Sequence, residues 1–180
     1  MIVGIIAAKE NSNRFPGKNI YELNGVPLFW HSVSPLLQSK RVDDVYVVTD
    51  SLYIKEYCIE RDVNVLWRPK NATIDEDPLL SIMKFAYYNL DVAYDFIVTI
   101  MANCPGHTVD SVDEAIELIE KNDFLEIRSF NNKNEESGLM IFRKNVIINN
   151  SQISSHIGFI KSDTKEIHFK NDIYEIQAKY

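Results

Sequence analysis

The chain has 180 residues, 46% of them hydrophobic, which suffices for one globular domain with a substantial core. Its net charge of −7 argues against a general nucleic-acid-binding protein, whose surface is basic, but it leaves room for a small cationic pocket. The two cysteines, Cys58 and Cys104, fit no zinc-binding spacing and are expected to be free, reduced thiols.

The chain opens on an apolar run, Met1–Ala8, that ends at Lys9 and Glu10. It has no basic segment before it and is too short for a signal peptide. No other stretch approaches the roughly 18 apolar residues that cross a bilayer. We therefore expect a single cytoplasmic domain, residues 1–180, that binds neither membrane nor nucleic acid.

Buried strands and helices are predicted to alternate along the first two thirds of the chain. The predicted strands cover 2–8, 45–49, 64–66 and 96–101, and the predicted helices cover 28–39, 52–60, 78–90 and 111–121. Asp110 or Ser111 is the expected cap of the helix at 111–121. Such alternation predicts a mainly parallel sheet with helices on both faces.

The last third of the sequence is less regular. We predict strands at 124–129, 139–142 and 166–169, a polar loop at 131–137 and a final helix at 172–179, while 146–149 is ambiguous. Ligands of parallel α/β sheets bind at the carboxyl ends of the strands. The informative segments are therefore those that follow strands, at 9–19, 50–51, 68–77 and 103–107.

The segment Lys9–Asn19, called here the first loop, concentrates three cations directly after the first predicted strand. Lys9, Arg14 and Lys18 supply positive charge, and Gly17 allows backbone N–H groups to turn toward an anion. Position 12 is Ser and Gly-x-Gly-x-x-Gly is absent, so neither a Walker A loop nor a dinucleotide fingerprint is present. The residue types alone leave two readings open, a phosphate-binding loop and a solvated polar loop.

The first loop resembles the signature of the CMP-sugar synthetases, the cytidylyltransferases that activate sialic acid, KDO and related acidic sugars. Further segments resemble the family's motifs in the same order. The matching positions are Ala8, Ser12, Arg14, 16–19, 23–28, 47–51, Arg68-Pro69 with Asp75, 138–142 and 172–173. The resemblance thus covers nearly the whole chain.

The resemblance implies a three-layer α/β/α fold of the nucleotide-diphospho-sugar transferase type, a GT-A-like Rossmann variant. It also implies transfer of CMP from CTP to an acidic sugar, with release of pyrophosphate and with Mg²⁺ as cofactor, for cell-surface polysaccharide synthesis. Lys9, Arg14 and Lys18 would be the catalytic cations. The nucleotide-binding residues would be these three together with Ala7, Ala8, Ser12, Asn19, Arg68, Asp75 and Asn103.

Several positions depart from the family's pattern. Lys9 stands where the family has Arg, and Asn103 stands where the KDO branch has a metal-binding Asp. The family's C-terminal metal motif has two aspartate ligands, and these positions are Glu166 and His168 here. Only Glu166 suits Mg²⁺. The segment 131–137 replaces a longer arm that helps the family to form dimers, so a homodimer stays possible but would form without that arm.

Two alternative functions stay open beside the cytidylyltransferase. The altered metal positions and the short arm fit a catalytically degenerate homologue that binds a nucleotide or acts as a partner subunit. A transferase of the same fold that uses another nucleotide is the third possibility.

Four further residues have competing interpretations. Cys104 could be a nucleophile, but the sequence places no histidine to activate it. His107 could contact substrate or lie in a solvated loop, and His31 is expected to pack or to lie at the surface. Asp50 could contact ribose or a metal, although we favour it as a cap of the helix near Leu52.

Overall fold

The structure is a computed structural model that describes residues 1–10, 12, 14–68, 78–149 and 156–177. The strands are β1 Ile2–Ala7, β2 Glu22–Leu23, β3 Val26–Pro27, β4 Asp44–Thr49, β5 Asn64–Trp67, β6 Phe96–Ile100, β7 Glu126–Phe130, β8 Glu136–Arg143 and β9 Ile157–Lys161. The α-helices are α1 Trp30–Gln38, α2 Leu52–Ile59, α3 Pro78–Tyr88, α4 Val109–Lys121, α5 Lys144–Ile148 and α6 Lys170–Gln177. A 3₁₀ turn covers Lys18–Ile20.

Seven strands form one sheet in the order β5-β4-β1-β6-β8-β7-β9. The pairs β1–β4, β1–β6, β4–β5 and β7–β9 are parallel, whereas β8 runs antiparallel to both of its neighbours. The predicted mainly parallel sheet is therefore confirmed. The chain builds outward from β1 in one direction and then returns to place β6 on its other side, which makes the β1–β6 boundary a topological switch point.

The sheet is covered on both faces, as predicted. Along β1, Ile2 and Ile6 pack into the core shared with α1, α2 and α4, whereas Val3 and Ile5 pack into the core shared with α3 and α5. Alternate residues of a strand point to opposite faces, so a strand buried on both sides must be apolar throughout. The three-layer α/β/α architecture follows from this arrangement.

A third apolar cluster joins the β2–β3 hairpin to α6. Leu23 and Leu28 pack against Ile167, Ile173 and Ile176. The hairpin was not predicted, because each of its strands has only two residues. The cluster brings the C-terminal residues back beside the first loop, which lies just before the hairpin.

The segment Ser162–Phe169, called here the strap, corrects the predicted strand at 166–169. It contains no regular secondary structure, and the edge strand β9 lies before it at Ile157–Lys161. The strand was suggested by the apolar Ile167, which stands between the polar residues Glu166 and His168. Ile167 is buried in the third cluster, and its backbone bonds to Asn103 rather than to a neighbouring strand.

Two smaller expectations, on helix caps, are also corrected, and the ambiguous segment is resolved. The cap of α4 is Thr108, which forms a reciprocal capping box with Ser111, so α4 begins at Val109. The ambiguous segment forms the short helix α5. Asp50 does not cap α2, because its side chain accepts a hydrogen bond from the backbone N–H of Glu10 at 2.7 Å. Among the described residues, no helix is both long and apolar enough to cross a membrane.

Candidate active site

A cavity of about 430 Å³ opens at the carboxyl ends of β1, β4, β5 and β6, at the switch point of the sheet. It is lined by Ala7, Ala8, Lys9, Ser12, Arg14, Lys18, Asn19, Val48, Arg68, Leu79, Ile82, Met101, Ala102, Asn103, Glu166 and His168. Every predicted site residue that the structure describes is among them. Asp75 lies outside the described residues.

The first loop is anchored where it leaves β1 and where it rejoins the fold. The Ala8 N–H donates to the Val48 carbonyl at 2.9 Å, and the Glu10 N–H donates to Asp50 Oδ1. The Asn19 amide, which is buried, donates to the Lys9 carbonyl at 2.8 Å. These bonds hold Lys9 beside the strand end while its side chain remains exposed. The anchors thus position the cations without neutralising them.

Four cationic side chains line the cavity with different degrees of burial. Lys9 and Arg14 are exposed, Lys18 is half-buried, and Arg68 is 7% exposed at the end of β5. Burial lowers the pKa of Lys18, an effect that the charge of Glu166 opposes and that of Arg14 reinforces. Cations that share a cavity repel one another, so the site gains stability when an anion enters it.

Lys18 and Asn103 hold the strap over the cavity. Lys18 Nζ donates to the Ile167 carbonyl at 2.9 Å, and Asn103 Nδ2 donates to the same oxygen at 3.0 Å. The Ile167 N–H donates in return to the Asn103 carbonyl at 2.7 Å. A residue of the first loop and a residue that follows β6 therefore meet on one peptide group of the strap.

The same region of the strap brings a carboxylate and an imidazole into the cavity. Glu166 Oε2 lies 3.5 Å from His168 Nε2 and 3.4 Å from Asn103 Nδ2. Asp172, in the first turn of α6, accepts hydrogen bonds from the N–H groups of His168 and Phe169, each at 2.8 Å. These two bonds fix the backbone from which the His168 side chain projects.

The donor set fits a divalent cation that is shared with a phosphate ligand. One carboxylate and one imidazole are available from Glu166 and His168, and cations bound next to phosphates often take only one or two protein ligands. Within the residues that the structure describes, no group of three or more His, Cys, Asp or Glu side chains converges on a metal position. Most ligands of such an ion would therefore come from the substrate.

The remaining surface of the cavity is apolar. Val48, Leu79, Ile82 and Met101 contribute to it. Sequence reasoning missed these residues because each belongs to, or directly follows, a strand or helix whose apolar residues were assigned to the core. An apolar surface next to several cations is the combination that a nucleotide requires, since its base is flat and its phosphates are charged.

Cys104 and His107 form a buried network outside this cavity. Burial raises the pKa of Cys104 to about 12, and its thiol donates to the Ser137 carbonyl at 2.7 Å. The same carbonyl lies 2.6 Å from His107 Nε2, and Ser162 Oγ lies 3.0 Å from His107 Nδ1. A protonated thiol of this kind is not a nucleophile, and the interpretation of His107 as a solvated loop residue was wrong.

His31 packs as expected. Its Nε2 lies 3.1 Å from the Leu23 carbonyl, so it joins α1 to the β2–β3 hairpin.

The sequence profile of the family described as cytidylyltransferase matches residues 3–176. The chain belongs to the cytidylyltransferase family. The chain is 23% identical over 177 residues to the N-acylneuraminate cytidylyltransferase of Streptococcus agalactiae serotype III (strain NEM316), a match that covers 97% of this chain and 43% of that protein. The chain spans about half the length, or less, of the curated relatives that it matches.

Solved structures agree with this family assignment at the level of the fold. CMP:2-keto-3-deoxy-manno-octonic acid synthetase complexed with CTP superposes with a TM-score of 0.80 at 13% identity, covering 99% of this chain and 97% of that one. Rv0371c from Mycobacterium tuberculosis H37Rv, in complex with manganese, superposes with a TM-score of 0.71 at 11% identity, covering 99% and 98%. The cytidylyltransferase fold is therefore present over nearly the whole described chain.

Proposed function

We propose that this cytidylyltransferase transfers CMP from CTP to a hydroxyl group of an acidic sugar and releases pyrophosphate. The observation that carries the proposal is the convergence of Lys9, Arg14, Lys18 and Arg68 on one cavity at the switch point of the sheet. The chain as a whole has a net charge of −7, whereas the charged side chains of this cavity are mostly positive.

In the proposed reaction the sugar hydroxyl oxygen attacks the α-phosphorus of CTP. A new bond forms between that oxygen and phosphorus, the bond from the α-phosphorus to the pyrophosphate oxygen breaks, and the hydroxyl proton passes to water. Negative charge grows on the departing pyrophosphate. Catalysis then depends on holding the reactants in line and on neutralising that charge.

The three cations of the first loop are proposed to carry out this neutralisation. Arg14 can bind two phosphate oxygens with its planar guanidinium, whereas Lys9 and Lys18 act as point charges. Lys18 already lies on the strap, so it can bind phosphate while remaining close to Glu166.

The nucleoside is proposed to lie along the strand ends. Ala7 and Ala8 have small side chains that let a base approach the backbone of β1, and Val48, Leu79 and Ile82 add apolar contacts. Further polar contacts are proposed from Ser12, Asn19, Arg68 and Asn103. Asp75 keeps its proposed place among the nucleotide contacts on the sequence resemblance alone.

Named relatives support the choice of nucleotide and acceptor. The Streptococcus agalactiae relative is an N-acylneuraminate cytidylyltransferase, and the structural neighbour with a TM-score of 0.80 is a CMP-sugar acid synthetase complexed with CTP. Both acceptors are sugar acids, whose carboxylate suits a cationic cavity. Since CTP is made and used inside cells, we propose a cytoplasmic location.

A divalent cation is proposed to assist the cations, with Mg²⁺ as the expectation from the sequence. A structural neighbour is in complex with manganese, which supports a divalent ion at this fold. Glu166 is the side chain proposed to hold the ion against the phosphates. When bound, the ion would supply further neutralisation of phosphate charge.

Calorimetric titration of CTP, with and without Mg²⁺, tests the binding half of the proposal. We expect a dissociation constant near the micromolar range, a tighter value with Mg²⁺, and loss of binding in Lys18→Ala. Lys121→Ala is the matched control, because Lys121 is exposed on α4 and pairs with Glu117 away from the cavity. GTP and UTP in the same assay test the use of another nucleotide.

Release of pyrophosphate from CTP in the presence of a panel of acidic sugars tests the catalytic half. Turnover supports the proposal. CTP binding without turnover on any acceptor, while a verified family enzyme is active in the same assay, would favour a degenerate nucleotide-binding homologue. The observation that favours this second candidate is the presence of Asn103 and His168 where acidic ligands were expected.

A further inference from the structure

We propose that Glu166 and His168 form a mixed oxygen–nitrogen metal site that prefers a first-row transition cation such as Mn²⁺ over Mg²⁺. The inference rests on the proposed function in one respect, because phosphate oxygens of the nucleotide complete the coordination. It concerns which ion this particular pair of side chains selects.

The separation of the two side chains suits a shared ion. Glu166 Oε2 and His168 Nε2 lie 3.5 Å apart, and both residues line the cavity. Two ligands that each lie about 2.1 Å from one ion are roughly 3.0 to 3.4 Å from each other at octahedral to tetrahedral angles. A small side-chain adjustment therefore brings both atoms into one coordination sphere.

The backbone on which the pair stands is fixed before any ion binds. The N–H of His168 is held by Asp172, and the carbonyl of Ile167, between the two ligands, is held by Lys18 and Asn103. Asn103 Nδ2 also reaches Glu166 Oε2 at 3.4 Å. Ligands on a fixed backbone lose little conformational freedom when they bind an ion.

The identity of the ligands decides the preference. Mg²⁺ favours oxygen ligands in a near-ideal octahedron, whereas imidazole nitrogen suits transition ions. Carboxylate and phosphate oxygens suit Mn²⁺ as well as Mg²⁺, but Mn²⁺ is a first-row transition ion and accepts an imidazole nitrogen in the same coordination sphere more readily than Mg²⁺ does. Replacing the imidazole by a carboxylate should therefore move the preference back toward Mg²⁺.

The charges around the pair couple the ion to the nucleotide. The pair brings one carboxylate, that of Glu166, into a cavity that Lys9, Arg14 and Lys18 also line. These cations oppose the binding of a free ion and attract the triphosphate. We therefore expect weak binding of Mn²⁺ alone and strong binding of Mn²⁺ together with CTP.

The first experiment compares calorimetric titrations of Mn²⁺-saturated CTP and Mg²⁺-saturated CTP. We expect the wild-type protein to bind the Mn²⁺ complex more tightly than the Mg²⁺ complex, and His168→Asp to lose that preference. His156→Asp makes the same change of residue type at an exposed position. His156 directly precedes β9, whereas the strap follows it, so the two lie at opposite ends of that strand and this control should keep the wild-type preference.

The second experiment uses NMR line broadening of the histidine ring signals by Mn²⁺. The chain has four histidines, and the signal lost in His168→Asp identifies His168. We expect Mn²⁺ to broaden that signal far more than the His156 signal, at millimolar Mn²⁺ without CTP and at lower concentrations with it.

The two readouts separate this inference from the proposed function. If CTP does not bind, the proposed function fails, and broadening by Mn²⁺ alone still decides the metal site. An unchanged Mn²⁺-to-Mg²⁺ preference in His168→Asp, or equal broadening of His168 and His156, would overturn the inference even in an active enzyme.

Discussion

The first loop and the strap face the same cavity, yet they are stabilised in different ways. In the first loop, Lys9 and Arg14 come soon after β1 and stay exposed, and the anchoring bonds are made by backbone groups and by the side chains of Asn19 and Asp50. The strap lies at the other end of the chain and depends on distant partners, Lys18 and Asn103 among them. Positive charge is thus supplied locally, whereas the carboxylate and the imidazole are supplied by tertiary contacts.

This difference explains why Lys18 is central to the site. It belongs to the first loop, but its ammonium group lies on the strap. Lys9 and Arg14 can be lost with little effect on the fold, because their side chains are exposed. The loss of Lys18 removes a cation and one of the strap's supports at once.

The largest expected effect is therefore that of Lys18→Ala. Removing one preorganised charge from a phosphate site lowers kcat/KM by about 100-fold or more. Steady-state pyrophosphate release should fall most in Lys18→Ala, less in Arg14→Ala, and least in the control Lys121→Ala. If Lys18→Ala costs no more than Lys121→Ala, the first loop does not act on phosphates.

Asn103→Ala should have the next largest effect. It removes a support of the strap, as Lys18→Ala does, but leaves the positive charge of the cavity unchanged. Asn103 is 7% exposed, and its amide and carbonyl both bond to Ile167. Leaving a buried hydrogen-bonding group without its partner costs about 1–3 kcal/mol. Urea denaturation measures that loss, and Asn89→Ala is the matched control, since Asn89 is exposed just after α3 and its amide donates to the Phe85 carbonyl. Equal losses in both variants would show that the strap does not depend on Asn103.

Much of the fold could be predicted because its signals are local. The apolar runs of β1, β4 and β6 identify strands that are buried on both faces, and the helices between them force the parallel order. The first loop could be predicted for the same reason, since its three cations lie within the ten residues 9–18, soon after β1. Every residue of the first loop that was predicted to bind the nucleotide, and that the structure describes, lines the cavity.

The strap could not be predicted, because its conformation is set by partners far along the chain. Glu166 is 63 residues from Asn103, and Lys18 is 149 residues from Ile167. The pattern around Ile167 resembled a strand, because one buried residue between polar ones is common to a strand and to a strap that packs on a cluster. Only the absence of a neighbouring strand distinguishes them, and the sequence does not state which strands are neighbours.

The buried network was missed for a related reason. His107 was assigned to a solvated loop or to substrate contact, but its partners Ser137 and Ser162 come from β8 and from the start of the strap. No local pattern distinguishes a histidine with such partners from one in water.

Asp172→Ala should have a smaller effect that is confined to the strap. The variant removes the acceptor for the N–H groups of His168 and Phe169 and resembles the loss of a helix cap, which costs about 1 kcal/mol. Glu175→Ala on the same helix is the control, because Glu175 is exposed and only pairs with Lys165. Hydrogen exchange at 168–169 should accelerate in Asp172→Ala alone, and equal exchange in both variants would show that Asp172 does not order the strap.

The smallest expected effect is a change in how the free energy of unfolding depends on pH. It tests whether the buried network of Cys104 and His107 stabilises the strap through Ser162. Burial lowers the pKa of His107 from its ordinary value of 6.5, although the Ser137 carbonyl opposes the shift. The unfolded chain then binds a proton that the folded chain does not, so the contribution of His107 is complete above pH 6.5 and declines as the pH falls toward the lowered folded pKa. One such group changes the free energy of unfolding by at most about 1.4 kcal/mol per pH unit. Between pH 7.5 and 5.5 the wild-type protein should lose stability that His107→Gln does not lose, while His156→Gln keeps the wild-type dependence.

Because His107 contacts Ser162, hydrogen exchange of the strap amides should also rise over the same pH range. If exchange rises elsewhere but not in the strap, the buried network does not support the strap.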